Sequence, residues 1–246
     1  MTMRALPLLI MLLLTATVSV RADDIRLAAG EYPPYTSADL PDGGILGELT
    51  RRAFALSGHQ VQIDFLPWAR AVLVMRRGQY DGLMAIWPDK AMTEKLIPSR
   101  PLAYSELVFF VRSNISVPFN TLSQLKGRAV GTVRSYNYPR SIMNSGIVAE
   151  DAADDLSNLR KLAAQRFDFV LLEKRVGVYL LGHEPDLQKK LVWQTPVLER
   201  LPLFIGFAAP KAGHPDWPAL YEQGLKQLLE SGEYGRILKK YDVTMP

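Results

Sequence analysis

MRRGQYDGLMAI at positions 75–86 and LAAQRFDFVLLE at positions 162–173 repeat one pattern 87 residues apart. Each stretch closes an apolar-periodic helix, continues through an aromatic–Asp pair (Tyr80–Asp81, Phe167–Asp168) and ends in a short apolar run. Runs of that length and composition read as buried strands. The same helix-to-strand step used twice implies two α/β lobes of similar build. Where the first copy ends in Ile86, the second ends in a carboxylate, Glu173. A charged group at the carboxyl end of a buried strand is where such a lobe presents chemistry to a ligand.

Outward from these stretches the pattern continues. Ile25, Leu27 and Ala29 alternate as a strand, and Ile45, Leu49, Ala53 and Leu56 keep helical spacing up to Gly58. Val61, Ile63 and Phe65 alternate again, and a helix carrying Trp68, Val72 and Met75 stops at Gly78. Strand, helix, strand, helix, strand implies a largely parallel sheet. An apolar strand comes next at 107–111, and residues 113–116 read as a crossing between lobes. The second unit has a strand at 128–133, a helix after Tyr138-Pro139, another helix at about 157–165 and the strand ending in Glu173. A further strand at 203–209 and two amphipathic helices close the chain, with their apolar faces expected to dock on the first lobe. The expected division is 1–22 signal peptide, 23–112 first part of lobe 1, 113–197 lobe 2 and 198–246 a return to lobe 1.

The first 22 residues combine a basic Arg4, an apolar stretch and a small-x-small site, Val20-Arg21-Ala22, before DDIR. This reads as a cleavable secretory signal, since the apolar stretch is short for a membrane anchor. Removing Arg4 and Arg21 from the 29 Lys and Arg leaves 27 basic against 25 acidic side chains, so the exported chain is nearly neutral. No basic stripe is present, which argues against nucleic acid as a partner. There are no cysteines, so neither a disulfide nor a lipid-bearing cysteine is available, and a periplasmic protein without membrane insertion is expected.

Ligands of open α/β sheets lie beyond the carboxyl ends of the strands. The residues just after each strand are Glu31, Tyr32 and Tyr35; Trp68; Trp87; Arg134, Ser135 and Tyr136; and Glu173. Stacking rings, two acids, a cation and a hydroxyl suit a small polar, charged or zwitterionic ligand held in a cleft. Each has a plainer alternative: the tryptophans as core or rim aromatics, Glu173 as an ion pair with Lys174 or Arg175, Arg134 as a loop cation pairing with Glu31. Enzyme signatures are missing: no GxSxG elbow, phosphate-binding loop, GxGxxG after a strand or cysteine nucleophile. His59, His183 and His214 stand singly without ligand spacing, so neither metal nor cofactor is expected.

YPPY (32–35), LPWARA (66–71), GQYDGLMA (78–85), LSQLKGRAVGTVRSYNY (122–138), RFDFVLLEKRVGVYL (166–180) and ESGEYGRILKKYD (230–242) occur in the order of the signatures of bacterial extracellular solute-binding proteins, family 3. The resemblance spans the whole chain after the signal. It implies a two-lobed, type II periplasmic-binding-protein-like fold, each lobe a mixed, mostly parallel sheet flanked by helices, with two crossing strands. It further implies that the YPPY loop and Trp68 pack around a ligand, that Arg134 and Ser135 contribute polar contacts, and that Glu173 receives a ligand amine. The sequence departs from the family where an arginine usually holds the ligand's carboxylate. WPDKAMTEKLIPSRP (87–101) puts Met92 or Thr93 there, with Lys90, Lys95 and Arg100 nearby. Lysine lacks the planar fork of arginine. Arg70 and Arg134, each close to a helix N-terminus, are alternative carboxylate clamps, with Arg70 favoured for its nearness to Trp68.

The expected function is capture of a small polar, amine-bearing or zwitterionic solute for an ABC importer permease or a sensor, by a monomer without catalytic activity. Two other readings compete: a cyclohexadienyl-dehydratase-like enzyme with Glu173 as general acid, and a stand-alone ligand-sensing module.

Overall fold

Alternation of buried side chains drives β1 (Ile25–Ala29), whose apolar residues are fully buried. The computed structural model describes residues 24–88, 95–115, 119 and 121–241. After β1 come α1 (Ile45–Leu56), β2 (Val61–Phe65), α2 (Trp68–Arg76) and β3 (Gly82–Ile86). β1 runs parallel to both of its neighbours, with Ile25 opposite Val61 and Leu27 opposite Gly82. Parallel strands require crossover connections, and α1 and α2 supply them. A short β4 (Ile97–Pro98) then precedes β5 (Ala103–Arg112).

The second half repeats the plan. β6 (Ala129–Val133), α3 (Arg140–Met143), β7 (Val148–Ala152), α4 (Asp155–Ala163) and β8 (Phe169–Glu173) succeed one another. β6 is parallel to β7 and β8. Two helices, α5 (Lys174–Gly182) and α6 (Pro185–Gln188), lead into the long β9 (Leu191–Phe207). The strand order is β2-β1-β3-β9-β5-β8-β6-β7, with β4 also on β9. In each half the first strand is central, the second lies at the outer edge and the third lies inward, so the echo in the sequence is an echo in topology.

β5 and β9 are antiparallel and join the halves. Ala103 pairs with Leu203 and Arg112 with Leu191, while the register breaks between Leu107 and Phe109. β5 meets β8 from Leu107 to Phe110, and the end of β9 meets β3 at Gly82–Phe207. The passage from one half to the other therefore begins within β5, ahead of the expected crossing at 113–116, of which Ser116 lies outside the described residues.

The two echoed aspartates are anchors. Asp81 accepts the backbone N–H of Arg26 at 2.8 Å. Asp168 accepts Nη2 of the buried Arg112 at 2.6 Å, while Nη1 of the same guanidinium donates to the carbonyls of Phe167 and Leu162. Such charge-assisted bonds are among the stronger ones available to a fold. At the chain's end, α7 (Trp217–Glu230) and α8 (Glu233–Lys240) pack on α1. Tyr221, Leu225 and Leu228 are fully buried there, each worth about 1.5–3 kcal/mol by area. A Cβ at Gly224 would run into the carbonyl of Ala53, so the two helix backbones touch. Glu48 of α1 accepts Lys240 Nζ at 2.7 Å and the Tyr241 hydroxyl at 2.9 Å. Among the described residues no helix is long and apolar enough to cross a membrane.

Candidate functional site

The loops leaving the carboxyl ends of β1, β3 and β6, together with the start of α2, converge where the two halves face each other. After β1 the chain turns back on itself through Tyr32 and Thr36, whose backbones pair, and Thr36 Oγ1 donates to the Gly30 carbonyl at 2.9 Å. This turn buries Tyr32 and Tyr35 with their rings stacked 5.6 Å apart. Trp68 opens α2 and lies over Gly30, where a Cβ would come within 3.1 Å of its ring. Ala85 takes a φ of 55°, and the pairing of β3 with β9 shifts beside it. Such a bulge re-aims the side chains after it, here Trp87.

From the other half, the β6 loop crosses the gap. Ser135, with φ 67°, accepts Trp68 Nε1–H on its carbonyl at 2.9 Å. The next side chain, Tyr136, enters the first half. Its ring stands 6.1 Å from Tyr32, 5.8 Å from Trp68, 5.6 Å from Trp87 and 5.8 Å from Tyr138. Its hydroxyl donates to Asp155 Oδ2 at 2.9 Å. With the ring in place, about 30 Å³ of space remains between Tyr32, Trp68, Trp87 and Tyr136, room for a water or two. To one side of Tyr136 lies a cleft of about 820 Å³ and to the other a cleft of about 580 Å³.

Three polar atoms at this junction are buried without a hydrogen-bond partner: the Tyr32 hydroxyl, Trp87 Nε1 and Asp155 Oδ1. Asp155 is only 4% exposed. Burial pushes its carboxyl up to about 7, against the pull of the Tyr136 hydroxyl. Burial likewise raises the phenols of Tyr32, Tyr136 and Tyr138 well above their ordinary value.

Solved structures share this architecture. A histidine kinase sensor domain with similarity to periplasmic binding proteins is 24% identical, covers 92% of this chain and 99% of its own, and has a TM-score of 0.77. The fold is that of the periplasmic binding proteins. The GluR0 ligand-binding core from Nostoc punctiforme, in complex with L-glutamate, shares it at 17% identity, 88% and 98% coverage and a TM-score of 0.74. A structure bearing on glutathione import via GshT and the cystine ABC importer TcyBC of Streptococcus mutans shares it at 19%, 92% and 98%, and 0.75. No family model matches the chain, and no curated protein sequence does.

Within this periplasmic-binding-protein fold, the expected site residues fall into three groups. Tyr32, Trp68, Trp87 and Tyr136 meet in one aromatic box, and Ser135 takes part through its carbonyl. Glu173 and Tyr35 lie behind the box. The Glu173 carboxylate is 1% exposed, and its oxygens accept Tyr35 Oη–H at 3.2 Å, Glu106 N–H at 3.2 Å and Val176 N–H at 2.7 Å. It caps α5, and burial pushes it up to about 7. The carboxylate expected to meet a ligand amine is thus engaged by the protein's own donors.

The third group stands outside the box. Glu31 sits at the mouth of the larger cleft and accepts Ala38 N–H at 3.1 Å. Arg134 is exposed on the β6 loop, and Arg70 is exposed on α2 on the side of Tyr80. Of the other cations considered for a carboxylate clamp, Arg100 is paired with Glu222 of α7 at 2.8 Å, Lys95 is exposed, and Lys90, Met92 and Thr93 lie outside the described residues.

The residue that sequence reasoning missed is Asp155. The pair Asp154-Asp155 ahead of a helical pattern signals a cap, and Asp154 performs it by accepting Ser157 N–H at 2.7 Å. The second acid had no capping task left, which was the one available hint of another role.

Proposed function

We propose that this chain is a solute-binding protein of the polar-amino-acid type, which closes its two lobes on a small amine-bearing or zwitterionic solute. It delivers that solute to an ABC importer or reports it to a sensor, from the periplasm and without turning it over. The observation that carries this reading is the set of unpaired atoms at the lobe junction: two donors, Tyr32 Oη–H and Trp87 Nε1–H, and one acceptor, Asp155 Oδ1. A buried polar atom left unpaired costs about 1–3 kcal/mol, so a ligand supplying an anionic and a cationic group relieves several such penalties at once. The shared fold of the sensor domain and of the glutamate-bound core supports the same reading.

A thermal-shift screen against amino acids, amines, opines and small organic acids tests it, because a ligand selective for the folded state raises the melting temperature. No stabilisation by any member of the panel would refute the proposal. The dehydratase reading, expected with Glu173 as the general acid, draws on two buried carboxyls held up to about 7, where a general acid works best: Glu173, which is engaged by the protein's own donors, and Asp155 beside the cleft. Incubation with prephenate-like acids separates the two: intact acid supports binding alone, and a product that disappears in Asp155→Asn supports the enzyme.

A further inference from the structure

We infer that Tyr136 is the resident occupant of a cation subsite: Asp155 is the carboxylate of that subsite, and a ligand's ammonium or guanidinium group binds there by displacing the phenol from the box walled by Tyr32, Trp68 and Trp87. This rests on the solute-binding function proposed for the chain and assigns its cation-recognising group.

Four observations lead here. Asp155 is buried at the first position of α4, yet Oδ1 has no partner and Oδ2 has the Tyr136 hydroxyl. An ionised carboxylate accepts about four hydrogen bonds, so the phenol satisfies a fraction of what a cation with several N–H donors would. The larger cleft, which ends at Asp155, is lined by the further acids Glu31, Asp39 and Asp154. Its one arginine, Arg160, is held by Glu184 at 2.7 Å. A cleft lined mainly by one sign of charge concentrates ligands of the other. The walls of the box are electron-rich rings, the surfaces that attract desolvated cations. Finally, with the ring in place the space beside Tyr136 is about 30 Å³, room for a water or two. A phenol has more heavy atoms than a guanidinium or a trimethylammonium group, so the ring's departure makes the room. The ring is carried by a loop whose neighbours Arg134, Ser135 and Asn137 are exposed and whose Ser135 holds a left-handed conformation, a hinge suited to swinging one side chain out.

The test uses calorimetry and tryptophan fluorescence on the full chain. The probes are agmatine, L-arginine and choline, with glutarate, a dicarboxylate without an amine, as the anionic comparison. Agmatine against L-arginine separates the guanidinium from the carboxylate, and choline reports a quaternary cation. At least one cationic probe should bind, and its binding should shift the emission of Trp68 and Trp87 as the Tyr136 ring leaves them. Asp155→Asn should weaken that probe by about tenfold or more. Tyr136→Phe keeps the ring and removes the hydroxyl that competes for Asp155, so it should tighten the probe severalfold. A structural role for the Tyr136–Asp155 bond predicts the opposite sign. If glutarate or another compound without a cationic group binds and no cationic probe does, or if Tyr136→Phe weakens a cationic probe as Asp155→Asn does, the cation subsite is overturned while solute binding stands. If no compound in the wider panel binds either, both fall. Circular dichroism of each variant confirms that it folds.

Discussion

Replacing Glu173 by Gln isolates the consequence of burying an acid behind the aromatic box. In the folded chain its carboxyl titrates at about 7, against an ordinary value of 4.5. Burial is the dominant cause, opposed by the N–H groups of Val176 and Glu106, by Tyr35 and by Arg175. The folded state therefore keeps a proton that the unfolded chain releases. The stability linked to this group is complete below pH 4.5 and is lost as pH rises through 7. Between pH 5 and pH 8 the loss amounts to roughly 2–3 kcal/mol. Gln does not titrate, so the variant is free of this loss. It has its own cost: the amide oxygen can take only one of the backbone N–H groups of Val176 and Glu106, and the NH₂ set against the other forfeits about 1–3 kcal/mol. Wild type should therefore be the more stable protein at pH 5, by about 1–3 kcal/mol. At pH 8 the two should be nearly equal, or the variant ahead. Urea unfolding followed by tryptophan fluorescence at both pH values, with Asp155 present in both proteins, reads the difference. A stability gap that stays constant within about 0.5 kcal/mol across this range, or grows in favour of wild type with rising pH, would refute the reasoning.

Three further outcomes concern contacts elsewhere in the fold. Trp68→Phe keeps a ring over Gly30 but removes the indole donor to Ser135, so the free protein should open, and small-angle scattering should show a larger radius of gyration than wild type. Gly224→Ala pushes a methyl into the Ala53 carbonyl and should destabilise the chain by about 1–3 kcal/mol, measured as a fall of several degrees in melting temperature; an unchanged value would mean α1 and α7 pack less closely. Arg112→Met removes the donor to the carbonyls of Leu162 and Phe167, while Asp168 keeps Arg128 at 3.5 Å, and should cost about 1–3 kcal/mol, whereas a loss below about 0.5 kcal/mol would show that water satisfies those carbonyls.

Much of this fold was legible because periodicity is local. The alternation at 25–29 and 61–65 and the echo at 75–86 and 162–173 each became the strand they indicated, at nearly the expected bounds. β9 was read only at its end, because Pro196, Glu199, Arg200 and Pro202 interrupt the pattern; the break in register opposite Leu107–Phe109 is where the strand absorbs Pro196. β7 was missed because it is an edge strand with four of its five residues exposed, so nothing selects apolar alternation. The rings that meet in the box, Tyr32, Trp68, Trp87 and Tyr136, share a position just after strands, which is legible from periodicity. Arg70 stands outside the box for a geometric reason: two residues along a helix is a rotation of about 200°, so with Trp68 turned to the box Arg70 turns away from it. Asp155 was illegible because its meaning depends on Tyr136 arriving from another loop, a tertiary contact without a local signature.

The position of β9 also sets the order in which this molecule can be made. β3 and β5 each pair with β9, and α1 packs on α7, so the first half lacks a strand and a helix until roughly the last quarter of the chain is in place. Before that moment β3 and β5 present open edges, which invite pairing with other chains. A chain ending ahead of Leu191 would therefore carry two open borders, and the C-terminal segment is the piece that closes both.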